Sequence, residues 1–443
     1  MPIERPDYIS QLAGKAWNGK VKIITGIRRC GKSFLLSRLY KQYLVKQGVS
    51  EKCFVEIDLE KDEFSLYRNP ITLREYVTER TKDRRRKYYV FIDEIQRSYK
   101  VKNTAIDERD VPAEDREQLY TTFYDVLSSL MALPNVDVYV TGSNSKMLSK
   151  DIVTNFRDRG SEIHVYPLSF AEYYPFSGLE KADALEQYLT YGGMPLAVLE
   201  TNEQEKQRYL AGLHKNVYLK DIVERYRLND DVVLEALTDV IYSAVGSLSN
   251  PHKLANTTST SMGRKIADVT VKNYLDYLSD AYLVSAADRY DVKGKRYFES
   301  IKKYYAMDLG LRNARLNFRQ QERSHLMENM IYNELIRRGY RVDVGVVEVE
   351  RMQDGKRKQS QYEIDFVVNT GYEKIYIQSA LNIDTPEKRE QETFSLRHTQ
   401  DSFRKIVILD GNSKYWLDDD GVAYVGVIPF LLHDSIAGLT GYV

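Results

Sequence analysis

Gly26-Ile27-Arg28-Arg29-Cys30-Gly31-Lys32-Ser33 has the spacing G-x-x-x-x-G-K-[S/T]. Residues of these types at this spacing make an anion cradle, because glycine lets the main chain curl until successive N–H groups and the start of a helix face a phosphate. In that chemistry Lys32 bridges the β- and γ-phosphates of ATP, Ser33 ligates Mg²⁺ through its hydroxyl, and Phe34 closes the binding stretch. Further on, the apolar run Tyr88-Tyr89-Val90-Phe91-Ile92 leads into Asp93-Glu94. A strand that ends in two acids is commonplace by itself. Beside a phosphate loop, Asp93 is expected to hold Mg²⁺ through water, and Glu94 to orient and deprotonate the attacking water, which favours hydrolysis over transfer. A third polar run, Thr141-Gly142-Ser143-Asn144-Ser145, either hydrogen-bonds the γ-phosphate or the lytic water or closes a strand as a polar turn.

These residues need a scaffold that delivers them to one edge. VKIITG (21–26) is a β-branched run before the loop, and GKSFLLSRLYKQYLV after it carries apolar residues at helical spacing. That strand-loop-helix context argues against a Gly-rich turn into an unrelated helix. CFVEIDL (53–59), YYVFI (88–92), VDVYVTG (136–142) and EIHVYPL read as further strands, separated by helical stretches near ITLREYVTER and QLYTTFYDVLSSLM. Alternation of this kind implies crossover connections and a parallel sheet covered on both faces. Residues 1–168 are therefore expected to form an α/β domain, and 169–245, helical in pattern, a lid. NPHKLANTTSTSMG (250–263) is rich in Asn, Ser and Thr and reads as a loop or the loop-rich start of a small domain. Next, Val271, Tyr274, Leu275 and Leu278 fall on one helical face ahead of an extended stretch, an order that fits a winged helix over 246–320. Residues 321–443 alternate again and read as a second α/β unit.

GIRRCGKS, FIDEIQ, TGSNSKML, FRDRGSEIHVYPLSF and YGGMP together resemble the bacterial and archaeal AAA-type ATPases that carry a C-terminal domain of unknown function, and the likeness covers nearly the whole chain. It implies a P-loop NTPase sheet with a helical lid, ATP and Mg²⁺ as cofactors, and assembly into a ring or another homo-oligomer. By that resemblance Ser143 and Asn144 are similar to a sensor. Arg159, with Arg157 as its rival, resembles a finger reaching a neighbouring subunit's nucleotide, where it would neutralise transition-state charge. The plain alternative for both arginines is a solvated surface charge.

In the C-terminal half, KGKRYFESIKKYY (293–305) is a candidate basic, aromatic wing for phosphate contacts, or else a packed strand with solvated lysines. Glu328, Asp365 in EIDF and Gln378-Ser379-Ala380 follow the order of the restriction-endonuclease-like core, Glu, Asp and (Asp/Glu)-x-Lys. A working site needs two carboxylates for the metal and a lysine. Here Gln378 stands at the second carboxylate position and Ala380 at the lysine position, so a nuclease-like fold with impaired or absent cleavage is expected.

Bulk properties bound the rest. The 443 residues imply several domains. Lys plus Arg and Asp plus Glu each total 64, so no overall positive field marks a nucleic-acid binder, and local patches must supply any such contact. KDRRRK (82–87) stands out as a charge run. The longest apolar stretch, GVAYVGVIPFLL, falls short of the roughly 18 residues a membrane span needs, and MPIERPDYIS has no signal-peptide character, so the cytoplasm is the expected location. Cys30 and Cys53 make no CxxC pair. The 35 tyrosines are read mainly as compositional drift. The expectation is an oligomeric Mg²⁺-dependent ATPase acting on a macromolecule, DNA first. The alternatives are a nucleotide-gated switch with a protein partner, and an ATPase with an active C-terminal nuclease.

Overall fold

Five short runs, three of them almost wholly buried, become parallel strands, and the computed structural model places their C-terminal ends along one edge. It describes residues 3–104, 106–142, 160–319, 321–353, 356–371, 373–433 and 436. The chain divides into two compact units, Met1–Tyr166 and Pro167–Val443.

In the first unit the strands are β1 (Val21–Thr25), β2 (Phe54–Asp58), β3 (Tyr88–Asp93), the short antiparallel ribbon β4 (Val101–Lys102) and β5 (Tyr120–Thr121), then β6 (Val136–Thr141) and β7 (Gly160–His164). The main sheet runs β2-β3-β6-β1-β7, with every pair parallel. One face packs Ile23, Val90, Ile92, Val138 and Val140 on the helices Pro70–Arg80 and Phe123–Met131. The other packs Tyr40, Phe91 and Tyr139 in tilted and edge-to-face contacts. Near the sheet's N-terminal end Lys22 and Asp137 form a buried ion pair, and Asp137 also accepts from the Tyr139 hydroxyl at 2.8 Å and Trp17 N at 3.0 Å, so the charge is compensated. Register does the positioning at the opposite end: Asp58 pairs with Asp93, and Ile24 with Thr141.

The second unit opens with the helices Phe170–Ser177 and Lys181–Tyr191, then Glu203–Leu213, which runs through a π-helical segment, His214–Leu219, into Lys220–Tyr226. A winged-helix order follows: helix Asp231–Ser243, β8 (Leu248–Ser249), helices Pro251–Met262 and Asp268–Asp280, and a hairpin of β9 (Val284–Asp291) and β10 (Arg296–Ala306), with β8 on β10. Its first helix lies inside the stretch read from sequence as lid. Then come β11 (Arg341–Gln353), β12 (Lys356–Asn369), β13 (Lys374–Ala380), β14 (Arg404–Leu409), β15 (Trp416–Leu417) and β16 (Val422–Gly426). Because β9 pairs in parallel with β11, wing and second α/β layer share one nine-stranded sheet. Phe170, Leu185 and Leu189 sit in the same core as Met330, Ile377 and Ile406. The YGG turn is clamped there. Asp308 accepts from Gly193 N at 2.7 Å and Leu311 N at 2.9 Å, and a Cβ on Gly192 would come within 2.4 Å of its carboxylate.

Residues 250–263 are not a loop, contrary to their composition. Asn250 caps the helix by accepting from Lys253 N at 2.7 Å, Pro251 suits its first turn, and Gly263 ends it at φ 65°. Thr257 and Thr260 turn their hydroxyls back to the carbonyls of Lys253 and Asn256, which satisfies them without breaking the helix, while Leu254, Ala255 and Thr258 are buried. Among the described residues no helix is long and apolar enough to cross a membrane.

Candidate active site

The phosphate-loop pattern leaves β1 through Gly26, at φ 136°, where a Cβ would stand 2.1 Å from the Val165 carbonyl oxygen, so only glycine passes. Arg29 and Gly31 also take left-handed φ, 66° and 96°, and Gly31 caps the helix Lys32–Phe34, which runs through a π-helical segment, Leu35–Tyr40, into Lys41–Lys46. Ile27 and Cys30 are buried, whereas Arg28 reaches out to Glu60 Oε1 at 2.9 Å. Lys32 is only 4% exposed, and its ammonium donates to Gly26 O at 2.9 Å and Ile27 O at 3.0 Å. Those bonds use two of its three donors, both on neutral acceptors.

Asp93 ends β3 and accepts from the hydroxyls of Thr141 and Ser33. Burial, with Asp58 beside it, raises its pKa above the ordinary carboxylate range, against the pull of those hydroxyls and Lys32. Glu94 takes a left-handed φ of 52°, and its N–H donates to Thr141 Oγ1 at 3.0 Å. A bulky residue holding that φ is strained, and strain of this kind collects at working sites. Burial also raises the Glu94 pKa, with Lys32 opposing, and Gln96 donates to its carboxylate. A cavity of about 340 Å³ opens along this edge and is lined by Ser33, Glu56, Asp58, Lys61, Phe64 and Asp93. On the other side of β1, Thr25 Oγ1 donates to Glu162 at 2.7 Å and lies 3.0 Å from His164 Nδ1, and burial and the Lys32 charge hold the His164 pKa down to about 3.

One hydroxyl with two buried carboxylates, whose charge burial disfavours, is a donor set suited to a hard divalent cation, so Ser33 and Asp93 fit Mg²⁺. Among the described residues no three His, Cys, Asp or Glu form a ready-made metal cage. The structure thus brings Lys32, Ser33, Asp93 and Glu94 to one edge. Ser143, Asn144, Arg157 and Arg159 lie outside the described residues. Thr141, one polar residue in a five-residue run by sequence, is the hydroxyl that links both acids. Asp58 and His164 gave no sequence signal beyond their strand ends.

Glu328, Asp365 and Gln378 also come together, from the helix Arg323–Arg337, β12 and β13. Asp365 accepts from Ser379 N at 2.9 Å, and its own N–H faces Gln378 Oε1 at 3.4 Å. Ala380 is buried. Sequence reading missed the cation of this cluster. Lys303 of β10, 2% exposed, lies 2.8 Å from Glu328, 2.6 Å from Glu363 and 3.5 Å from Asp365. Its signal was strand alternation, since Lys303 shares a face with Tyr305, whose hydroxyl donates to Glu328 at 2.8 Å. Other wing cations are also engaged within the chain: Lys293 with Glu348 O, Arg296 with Asp291 and Lys302 with Asp288.

A parallel sheet in this strand order, with its glycine loop after β1 and its acids after β3, defines a P-loop nucleoside triphosphatase. Comparison with known proteins narrows the class. Residues 18–174 match the AAA domain family, and 182–322 match a domain of unknown function, DUF8612. An uncharacterized protein of Haemophilus influenzae is 31% identical over 437 residues, 97% of this chain and 98% of its own. One of Methanocaldococcus jannaschii is 25% identical over 429 residues, 93% and 87% of the two chains. The chain belongs to the family of the Haemophilus protein, with an AAA domain at its head, and is an ATP hydrolase of the AAA type. Among solved structures, AMPPCP-bound DnaA from Aquifex aeolicus overlaps 62% of this chain and 86% of its own at 14% identity, but a TM-score of 0.28 is too loose to carry anything further.

Proposed function

We propose that ATP binds at residues 26–34, with Lys32 on its β- and γ-phosphates, and that Glu94 takes the proton of the attacking water. Mg²⁺, held by Ser33 directly and by Asp93 through water, would neutralise phosphate charge there. Lys32 reaches the phosphates by exchanging carbonyl partners for anionic ones, and Thr141 fixes the peptide and carboxylate that aim Glu94. Ser143 and Asn144 sense the γ-phosphate, and Arg159 or Arg157 reaches a neighbour's nucleotide in a homo-oligomer. The supporting observation is the meeting of Lys32, Ser33, Asp93 and Glu94 at one sheet edge. Lys32→Ala and Glu94→Gln should each remove ATP turnover with the fold intact by circular dichroism. Unchanged turnover in either rules out its assignment.

The energy of hydrolysis is spent on a macromolecule, which we take to be DNA on the strength of the winged-helix order. A protein partner is the second reading, favoured by the engagement of wing cations within the chain. Binding of duplex DNA that weakens steeply with salt supports the first, because phosphate contacts release counterions. No binding at low salt supports the second. The cluster around Glu328, Asp365 and Gln378 is read as a degenerate nuclease-like site kept for architecture.

A further inference from the structure

We infer that Arg5 is a positioning residue that ties the phosphate loop to the chain segment after β7, where the first unit ends. The contacts begin just after β7. Val165 O lies against Gly26 so closely that no Cβ fits, and it also accepts from Cys30 Sγ at 3.3 Å. Arg5, buried and with its guanidinium 4.4 Å from the Tyr8 ring centre, forks across the gap. It donates to Cys30 O at 3.3 Å and to Tyr166 O at 2.9 Å. Tyr166 N donates to Tyr8 Oη at 3.1 Å. Two residues of the loop and two of the strand end are therefore held as one piece, and the planar guanidinium has the span to donate to carbonyls of both.

Tyr166 is the last residue of the first unit and Pro167 the first of the second. Just beyond, Leu168 is fixed within the second unit: its N–H donates to Gly193 O at 2.8 Å, and its carbonyl accepts from Tyr188 Oη at 2.8 Å. Only Pro167, whose φ is locked by its ring, separates the two anchorages. A shift of the loop when phosphate arrives is therefore passed through Arg5 to Tyr166, where the first unit ends. Arg5 holds main-chain carbonyls of the loop and of the segment after β7, so its part is transmission, and it rests on the nucleotide-site reading above.

The test is amide hydrogen exchange on the full chain, with and without Mg²⁺ and a non-hydrolysable ATP analogue. In the wild type, protection should change both in peptides covering 26–36 and in those covering 163–169. In Arg5→Met the first change should persist and the second vanish, with kcat down about tenfold and analogue affinity within about threefold of wild type. Arg5→Lys keeps the cation but lacks the span of the planar guanidinium between Cys30 O and Tyr166 O, and it should lose the same change should the Met variant fold poorly. Persistence of the 163–169 change in a folded variant overturns the role of Arg5, as does its absence in a wild type that responds at 26–36. A wild type silent at 26–36 sinks the nucleotide site itself.

Discussion

Lys32 in the first unit and Lys303 in the second are both buried beside carboxylates, and they are held in opposite ways. Lys32 rests on two neutral carbonyls of its own loop, with Asp93 and Glu94 near enough to feel its charge. Lys303 is in contact with three carboxylates. A bond to a neutral carbonyl contributes a net of about 0.5–1.5 kcal/mol, and one to a charged group about 1.5–3. The first lysine can change partners when a phosphate arrives, whereas the second is committed. The same residue type at similar burial is poised in one unit and locked in the other, and what it faces makes the difference.

The largest effect should come from unlocking the locked one. Lys303→Met leaves the largely buried Glu328 and Asp365, and the partly exposed Glu363, without their cation, and breaking such a set costs about 3–5 kcal/mol. Urea unfolding of the second unit should record that loss, and ATP turnover in the folded protein should be retained. The matched change Lys32→Met should do the reverse: turnover falls by about a hundredfold or more, and the unfolding midpoint moves little. If both variants lose stability alike, the distinction between poised and locked fails.

A smaller effect is expected at Thr141, which joins the two acids of the first site. Thr141→Val keeps the shape but takes a donor from Asp93 and an acceptor from the Glu94 N–H, a loss of about 1–3 kcal/mol. If that loss falls on aiming Glu94, kcat drops about tenfold while nucleotide affinity holds. A fall in affinity with kcat intact would instead make Thr141 part of the binding pocket.

The two sites also differ in how far sequence revealed them. The first was legible because its residues are local in sequence or sit at the ends of apolar runs: VKIIT, YYVFI and VDVYV could only be central strands, and a glycine loop after one of them has few other meanings. The role of Lys303 was not legible from alternation alone. The residue sits in KKYY, where strand alternation buries one lysine and exposes its neighbour, and its three partners are 25 to 62 residues away in the chain. Nor was the continuous sheet, because β9 meets β11 over the three pairs from Arg289 with Val344 to Asp291 with Val346. The helix Pro251–Met262 was hidden by composition: threonines that suggest a loop back-bond within a helix. Arg5 gave no signal, since its partners Cys30 and Tyr166 acquire meaning only once β1 and β7 are paired.

The finest test uses pH. One ammonium cannot balance the carboxylates around it, so burial, and Asp365 beside it, push the Glu328 pKa from the ordinary 4.5 up to about 7, against Lys303 and Tyr305. Burial opposes the charge of Lys303, but Asp365, Glu328 and Glu363 outweigh it, so the lysine stays charged throughout this range. A carboxyl raised on folding contributes stability that is whole below its unfolded value and lost as pH climbs through its folded one. Stability should therefore decline between about pH 4.5 and 7, where the unfolded chain releases the proton first. Other raised carboxyls slope the same way, so the informative quantity is the difference between wild type and Glu328→Gln, which removes this one titration and keeps an acceptor for Tyr305. That difference should grow across the window and level off above it, with ATP turnover unaltered. A flat difference would mean that Glu328 is ionised throughout, and that Lys303 balances the cluster more completely than its geometry implies.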